Sequence, residues 1–399
     1  MNNKDTKTKR LSFENTAIAF ADKSDLELKE AYWMYKLINN GTLVELGSFF
    51  TNMALKFRFP VKPVVKATVF KLFVGGESLE EARPKIERLA GYGINTILDY
   101  GVEAKSSEYD YNKTLQEKLN AIAFAGNQKS VKVLSCKITG LGRFRLFEKV
   151  HAGERISLTE EREMERVVDR VEQLCEAAKR QNIALFFDAE ESWIQRPLDI
   201  IIREMMEQFN QEKVIVYNTY QMYLKNRSED MKQHYKDALE SGFKFGVKLV
   251  RGAYMEKERD RAHKMNYPSP IYDNKPAVDE AYNKALRYCL DDVKNIALCA
   301  ATHNEESCMY LADEIEKSKI SNDHPHLMFA QLLGMGENLT FNLADYGFHT
   351  AKLVPFGPVK DVIPYLIRRA RENSSAEGQM SRELSLLKNE IERRRIFSV

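Results

Sequence analysis

Two adjacent arginines, Arg368 and Arg369, close the run Tyr365-Leu-Ile-Arg-Arg, which continues Ala-Arg-Glu-Asn373. Guanidinium groups hold carboxylates through charge-assisted, two-pronged hydrogen bonds, so the pair is a candidate anion clamp. The competing reading is a solvated helix face, which most charge runs are. Neighbours on a helix point about 100° apart, so both can meet only a ligand lying above the helix. Other polar residues stand at the ends of short apolar runs: Asp99 with Glu103 beyond it, Lys137, and Asp188 ahead of Glu190 and Glu191. Further along come Asn218, Tyr220 and Gln221, then Arg251-Gly252-Ala253-Tyr254 with Lys248 inside its run, Thr302-His303-Asn304, and Gln331 with Leu332. Lys, Arg, His and Asp gathered at one face suit an anionic cofactor beside a small zwitterion. Plainer roles compete. Lys137 could extend its head to solvent, Glu191 could cap the next helix, His303 could be structural, and Asn304 is a good N-cap. No His, Cys and Asp cluster has metal-ligand spacing, so no metal is expected.

The elements that must position these residues follow from the apolar pattern. Eight short runs alternate with helical stretches: Ile94–Leu98, Val131–Cys136, Ile183–Phe187, Val214–Tyr217, Phe245–Val250, Ile296–Ala301, Leu327–Leu332 and Thr350–Val354. Short, continuous apolar strands separated by helices belong to a parallel sheet buried on both faces. Eight units give the count of a (β/α)₈ barrel, in which chemistry sits at the carboxyl ends of the strands. The rival is an open doubly wound sheet, but no G-x-G-x-x-G follows the first run. Ser157-x-x-Glu160 reads as a capping box, and Val167, Val171, Leu174 and Ala178 behind it share one helix face. Residues 1–75 read as a polar start followed by a helical appendage, 76–375 as the barrel, and 376–399 as a helical tail. Within the appendage, Leu26, Ala31, Met34 and Leu37 recur at helical spacing, Phe49, Phe50, Met53 and Leu55 follow, and Pro60 and Pro63 interrupt the pattern.

Composition narrows the class. At 44% hydrophobic over 399 residues, the chain can bury a large core. Lys and Arg number 60 against 58 Asp and Glu, a net charge of +2, which argues against a nucleic-acid binder. The five cysteines are scattered, and reduced thiols are expected rather than a disulfide or zinc framework. No run approaches the roughly 18 apolar residues of a spanning helix. The polar start lacks the apolar region of a secretory signal, so a cytoplasmic location is expected.

With these residues aligned, the sequence resembles the proline dehydrogenase family from about residue 80 to 375. Asp188-Ala-Glu-Glu, Lys248-Leu-Val-Arg-Gly-Ala-Tyr254, Ala301-Thr-His-Asn304 and the Tyr365 to Asn373 run carry the resemblance, each at its own strand or helix. It implies a distorted (β/α)₈ barrel that binds FAD non-covalently, oxidises L-proline to Δ1-pyrroline-5-carboxylate and passes electrons to a membrane quinone. It implies that Arg368, Arg369 and Lys137 bind the substrate carboxylate, with Asp188 supporting Lys137 and the site floor. Ala253, Tyr254, Leu332 and Tyr365 would pack around the ring, with Glu372 beside them on the last helix. Glu103 would pair with an arginine of that helix as a gate. Lys248 would lie near flavin N5, and Asn218, Gln221, Arg251, Gly252, Thr302 and His303 would contact FAD, with Lys275 near its phosphates.

One position departs from the family. Where many members carry a tyrosine two residues before the Pro-x-Gly after the eighth strand, this chain has Leu353. The change removes a hydroxyl near the ring and raises trans-4-hydroxy-L-proline as the alternative substrate. No aldehyde dehydrogenase module follows the barrel, so a monofunctional enzyme is expected. In the tail, Leu384, Leu387 and Ile391 precede Arg393-Arg394-Arg395, Ile396 and Phe397. Such a helix could touch an anionic membrane, as a peripheral protein at the inner face of the cell membrane, or could pack on the barrel. Two further readings compete: a related flavin barrel such as methylenetetrahydrofolate reductase, and a barrel that has lost catalysis and only binds.

Overall fold

The eight apolar runs form eight strands, β1 (Asn95–Tyr100), β2 (Val131–Cys136), β3 (Ala184–Phe187), β4 (Val216–Gln221), β5 (Phe245–Val250), β6 (Ile296–Ala301), β7 (Leu327–Leu332) and β8 (Thr350–Phe356). Each pairs in parallel with its neighbours in chain order, and β8 returns to β1, with Ile97 opposite Leu353. The sheet is therefore a closed barrel, which excludes the open doubly wound alternative. The structure, a computed structural model, describes residues 10–38, 62–101, 107–375 and 379–396. Glu103, Phe49, Phe50, Met53, Leu55, Phe397 and the first nine residues lie outside this set.

Side chains alternate between two cores, as the period of two along a strand requires. Leu98, Leu134, Leu185, Phe187, Val216, Val247, Leu298 and Phe329 face outward and pack under the helices. Ile97, Val133, Phe186, Cys299, Ala330 and Ala351 face inward and plug the barrel, with Tyr217 and Leu353 partly buried against them. Gly246 belongs to the inward set; a Cβ there would meet the Val216 carbonyl oxygen at 2.3 Å and the Tyr217 ring at 2.9 Å. Its missing side chain is the space that Tyr217 uses. The plug leaves the carboxyl ends of the strands open above it.

The helices close where the sequence says they should. Helix Leu158–Gln181 starts with both halves of the Ser157 and Glu160 capping box, and Val167, Val171, Leu174 and Ala178 are fully buried beneath it. All five cysteines are free and buried, so each reads as a core thiol.

A second core lies beside the barrel. Helix Asp25–Ile38 buries Leu28, Ala31, Tyr32, Tyr35 and Ile38. These pack with Leu386, Leu387 and Ile391 of helix Gln379–Arg393 and with Val362, Ile363 and Leu366 of helix Val359–Ser375. Arg394 locks the assembly, donating to the Phe20 carbonyl at 2.9 Å and the Lys23 carbonyl at 2.8 Å. Leu386, Leu387 and Ile391 of the tail helix are thus covered by protein, as the packed-helix alternative expects. Among the described residues no helix is long and apolar enough to cross a membrane.

Candidate active site

A cavity of about 2150 Å³ opens at the carboxyl ends of the strands. Lys137, Asp188, Lys248, His303, Leu353 and the arginine pair all reach it, although they span more than half the sequence. Strand parity explains who arrives. Lys137 and Asp188 stand one step past β2 and β3, in phase with inward Val133 and Phe186. Thr219 and Gln221 share the phase of Tyr217.

The floor is a buried ion pair. Lys248 Nζ donates to Asp188 Oδ1, which also accepts the Ser135 hydroxyl at 2.9 Å. Burial would push the Asp188 carboxyl up, but Lys248 beside it, helped by Lys137 and Ser135, holds it below the usual carboxylate range. The direct partners of Asp188 are therefore Lys248 and Ser135, while Lys137 acts on it through its charge. Lys248 also lies 5.6 Å from the centre of the Phe186 ring, whose face favours a cation.

The wall above the end of β5 carries Arg251. Its guanidinium donates to Asp279 at 2.7 Å, to the Thr302 hydroxyl at 2.6 Å and to the Ser307 hydroxyl at 2.9 Å, and it lies over the Tyr282 ring at 4.5 Å. Lys275 donates to the other oxygen of Asp279. Burial opposes the Asp279 charge, but Lys275 and Arg251 together keep its carboxyl below the ordinary range. The Gly252 that follows has φ +135°, and a Cβ there would fall 1.9 Å from the Tyr223 ring. Both observations demand glycine. Gln221 braces the same loop, accepting the Ala253 N–H at 3.3 Å and donating to the Glu190 carbonyl at 2.7 Å. Tyr254 lines the cavity directly before helix Met255–Met265, with Lys257 5.3 Å from its ring centre.

His303 accepts the Leu332 N–H at 3.4 Å through Nε2. Burial, with Lys352, Arg369 and Arg251 nearby, pushes its imidazole down to about 3, so it is neutral at physiological pH. Thr302 sits out of phase, its carbonyl accepting Gln331 Nε2 at 3.0 Å. Asn304 caps helix Glu305–Lys317, accepting the Ser307 N–H at 2.7 Å. Above these, Tyr365 lines the cavity and Arg369 lies 5.4 Å from its ring centre. Glu372 belongs to the same helix, its side chain outside the described residues.

Two expectations change. Asn218 has the phase of Val216 and Tyr220, so it turns away from the cavity, and its amide donates at 2.9 Å to Asp199 in the helix layer. Arg227 grips the same Asp199 through both terminal nitrogens, at 2.6 and 2.8 Å. Asn218 therefore braces helix Ser192–Phe209 instead of facing a cofactor. Glu191 occupies the N-cap position of that helix but makes no capping bond and pairs with Lys257 at 2.8 Å. The cap comes from Glu258, which takes the Ser192 N–H and hydroxyl, each at 2.7 Å.

Glu383 and Lys352 also support the site, although neither stands at a strand end. Lys352, fully buried on the outer face of β8, donates to the Met335 and Leu332 carbonyls and lies 3.4 Å from Glu337. Glu383, on the tail helix, accepts the Gly336 N–H, and burial pushes its carboxyl up to about 7. Both hold the segment that leaves β7 after Leu332, from the Leu332 carbonyl to the Gly336 N–H. The position of Lys352 inside an apolar run, between Ala351 and Leu353, was the available signal; Glu383 looked like one of many charges on an exposed tail.

Comparison with known proteins places this geometry among relatives. The family model described as proline dehydrogenase matches residues 82–382. The mitochondrial proline dehydrogenase 1 of Dictyostelium discoideum is 31% identical over 95% of this chain and 74% of its own length. The carbapenem antibiotics biosynthesis protein CarD of Pectobacterium carotovorum is 32% identical over 82% of this chain and 84% of its own. The hydroxyproline dehydrogenase of Xenopus laevis is 29% identical over 96% and 90%. Among solved structures, proline utilization A from Bdellovibrio bacteriovorus, inactivated by N-propargylglycine, superposes with a TM-score of 0.72 at 21% identity, over 97% of this chain. The chain spans 41% of that protein's length, and the likeness concerns the fold.

Proposed function

The chain belongs to the proline dehydrogenase family of oxidoreductases, and on that premise we propose that its cavity binds FAD beside L-proline and oxidises the proline to Δ1-pyrroline-5-carboxylate. The observation that carries this reading is that Lys137, Arg368 and Arg369 line one cavity. Three cations around a single space match one carboxylate, and arginine's planar fork gives that match a direction. Tyr365, Tyr254, Ala253 and Leu332 supply the apolar packing a five-membered ring needs; the substrate role of Glu372 and the gate role of Glu103 rest on the family resemblance alone. We assign residues 76–375 to flavin and substrate, with 1–75 and 376–399 as their support.

The residues present fit a flavin dinucleotide. The cavity exceeds the roughly 300–1,000 Å³ of ordinary small-molecule pockets. One wall offers Arg251 and Lys275 to phosphates, with Gly252, Thr302 and His303 nearby, and the floor offers Lys248 and Gln221 to a polar ring. Bound there, FAD supplies the hydride acceptor. The chain's own part is positional. The clamp holds the carboxylate so that one face of the ring is presented, and such orientation lowers a barrier by several kcal/mol, at best about 7 or more. Electrons would pass on to a membrane quinone at the inner face of the cell membrane.

The hydroxyproline alternative meets Leu353. Leu353 packs on the inward cluster of Ile97, Val133, Phe186, Cys299, Ala330 and Ala351, and its own side chain offers a ring hydroxyl no hydrogen-bond partner. A hydroxyl buried without one costs about 1–3 kcal/mol. Steady-state comparison is expected to give L-proline a kcat/KM at least about tenfold above trans-4-hydroxy-L-proline. A higher value for hydroxyproline would reverse the assignment.

A further inference from the structure

Glu190 is buried on the cavity wall, and the roles above leave its side chain without a task. Its backbone is held on both sides. The N–H donates to Gln195 Oε1 at 2.9 Å and the carbonyl accepts Gln221 Nε2 at 2.7 Å. Gln195 donates in turn to Asp199 at 2.9 Å, the carboxylate that Arg227 and Asn218 also grip. Glu190 is thus fixed to a buried hydrogen-bonded frame reaching β4 and the helix that follows it.

The carboxylate reaches across to the next loop. One oxygen accepts the Thr139 N–H at 3.1 Å and the other accepts the Thr139 hydroxyl. Thr139 is the middle of the single turn Ile138–Gly140, for which Lys137 is the residue of entry. The turn closes when the Gly140 N–H donates to the Lys137 carbonyl at 3.1 Å. Nothing within so short a turn can fix its tilt, so an external brace sets it. Burial pushes the Glu190 carboxyl up to about 7, and the nearby Lys137 charge is the largest influence opposing that rise.

We propose that Glu190 is a positioning residue for Lys137: by accepting both Thr139 donors it fixes the turn Ile138–Gly140 and with it the direction in which Lys137 offers its ammonium to the substrate carboxylate. The proposal rests on the clamp reading of Lys137. Glu190 touches neither substrate nor cofactor in this role, so its loss acts on KM through Lys137.

The test uses the flavin-loaded enzyme and four variants, Glu190→Gln, Glu190→Ala, Lys137→Met and the Glu190→Ala/Lys137→Met double, with L-proline as substrate. Glutamine keeps an acceptor for the Thr139 N–H and a donor for its hydroxyl, so its KM is expected within about threefold of wild type. Glu190→Ala is expected to raise KM about tenfold or more and to lower kcat no further than Lys137→Met does, since it acts only by misplacing that group. The double variant is expected to match Lys137→Met within about twofold, because both changes act on one group. Multiplying effects in the double variant, a Glu190→Gln as poor as the alanine, or wild-type KM in Glu190→Ala beside a raised KM in Lys137→Met would overturn the proposal. Wild-type KM in Lys137→Met would instead overturn the clamp reading beneath it. Should Glu190→Ala lose its flavin, Thr139→Ala decides: removing one hydrogen bond is expected to raise KM about threefold, and an unchanged KM would overturn the proposal.

Discussion

Asp188 stands at the point where β3 ends, sharing one oxygen between Lys248 and the Ser135 hydroxyl. Its carboxyl is held low, so the stability it contributes is present above the ordinary carboxylate value near 3.8 and is lost as pH falls through the lower folded value. That contribution depends on Lys248. Lys248→Met would leave a buried carboxylate without its cation, a change that costs about 3–5 kcal/mol in comparable pairs. A clear fall in Tm near neutral pH is expected, with partial recovery in Asp188→Asn/Lys248→Met. A Lys248→Met variant as stable as wild type would show that the pair contributes little. Asp188 was legible from the sequence because it falls at a strand end in phase with inward Phe186, and Lys248 because it is a charge inside an apolar run, in phase with inward Gly246. Asn218 was misplaced because strand-end polarity was read without phase: it is one residue out of step with Thr219 and Gln221. Glu190 was named only in passing, since its role depends on Thr139, and 51 positions of sequence separate them.

At the scale of elements, the apolar runs announced the strands because a sheet buried on both faces leaves little room for polar residues. β2, β5, β6 and β7 have the bounds of their runs; β1 and β4 extend past theirs through polar residues that join the ladder, β3 loses Ile183, and β8 gains Pro355 and Phe356. The tail was harder to read. A basic amphipathic helix has one composition whether its apolar face meets lipid or protein, and only the partner, helix Asp25–Ile38, decides. Glu383 shows what the packing does for the site, since it reaches from the tail helix to the Gly336 N–H in the loop that follows Leu332 at the end of β7. Its carboxyl is raised from 4.5 to about 7. The folded state therefore binds the extra proton between these values, and the associated stability is full below 4.5 and is lost as pH rises through about 7. Glu383→Gln keeps the acceptor and removes the titration. Its Tm relative to wild type is expected to increase between pH 5 and pH 8; a difference that is flat or falls with pH would contradict the buried, titrating carboxyl.

At the scale of the whole molecule, the closed barrel brings together residues that the sequence scatters from Asp99 to Arg369, and the two outer helical segments seal one flank of that barrel through a single core. The division of labour is consistent: inward Phe186, Ala330 and Ala351 plug the barrel, and the charged residues stand one layer higher, where the strands end. The central claim is that this layer presents L-proline, held by its carboxylate, to bound FAD. Anaerobic titration of the flavin-loaded protein with L-proline, followed by visible absorption, tests it most directly. The expected result is bleaching of the flavin bands by L-proline, with Arg368→Met and Arg369→Met each needing at least about tenfold more proline for half-bleaching. Flavin that stays oxidised in the presence of L-proline, or bleaching at wild-type concentrations in both arginine variants, would contradict it.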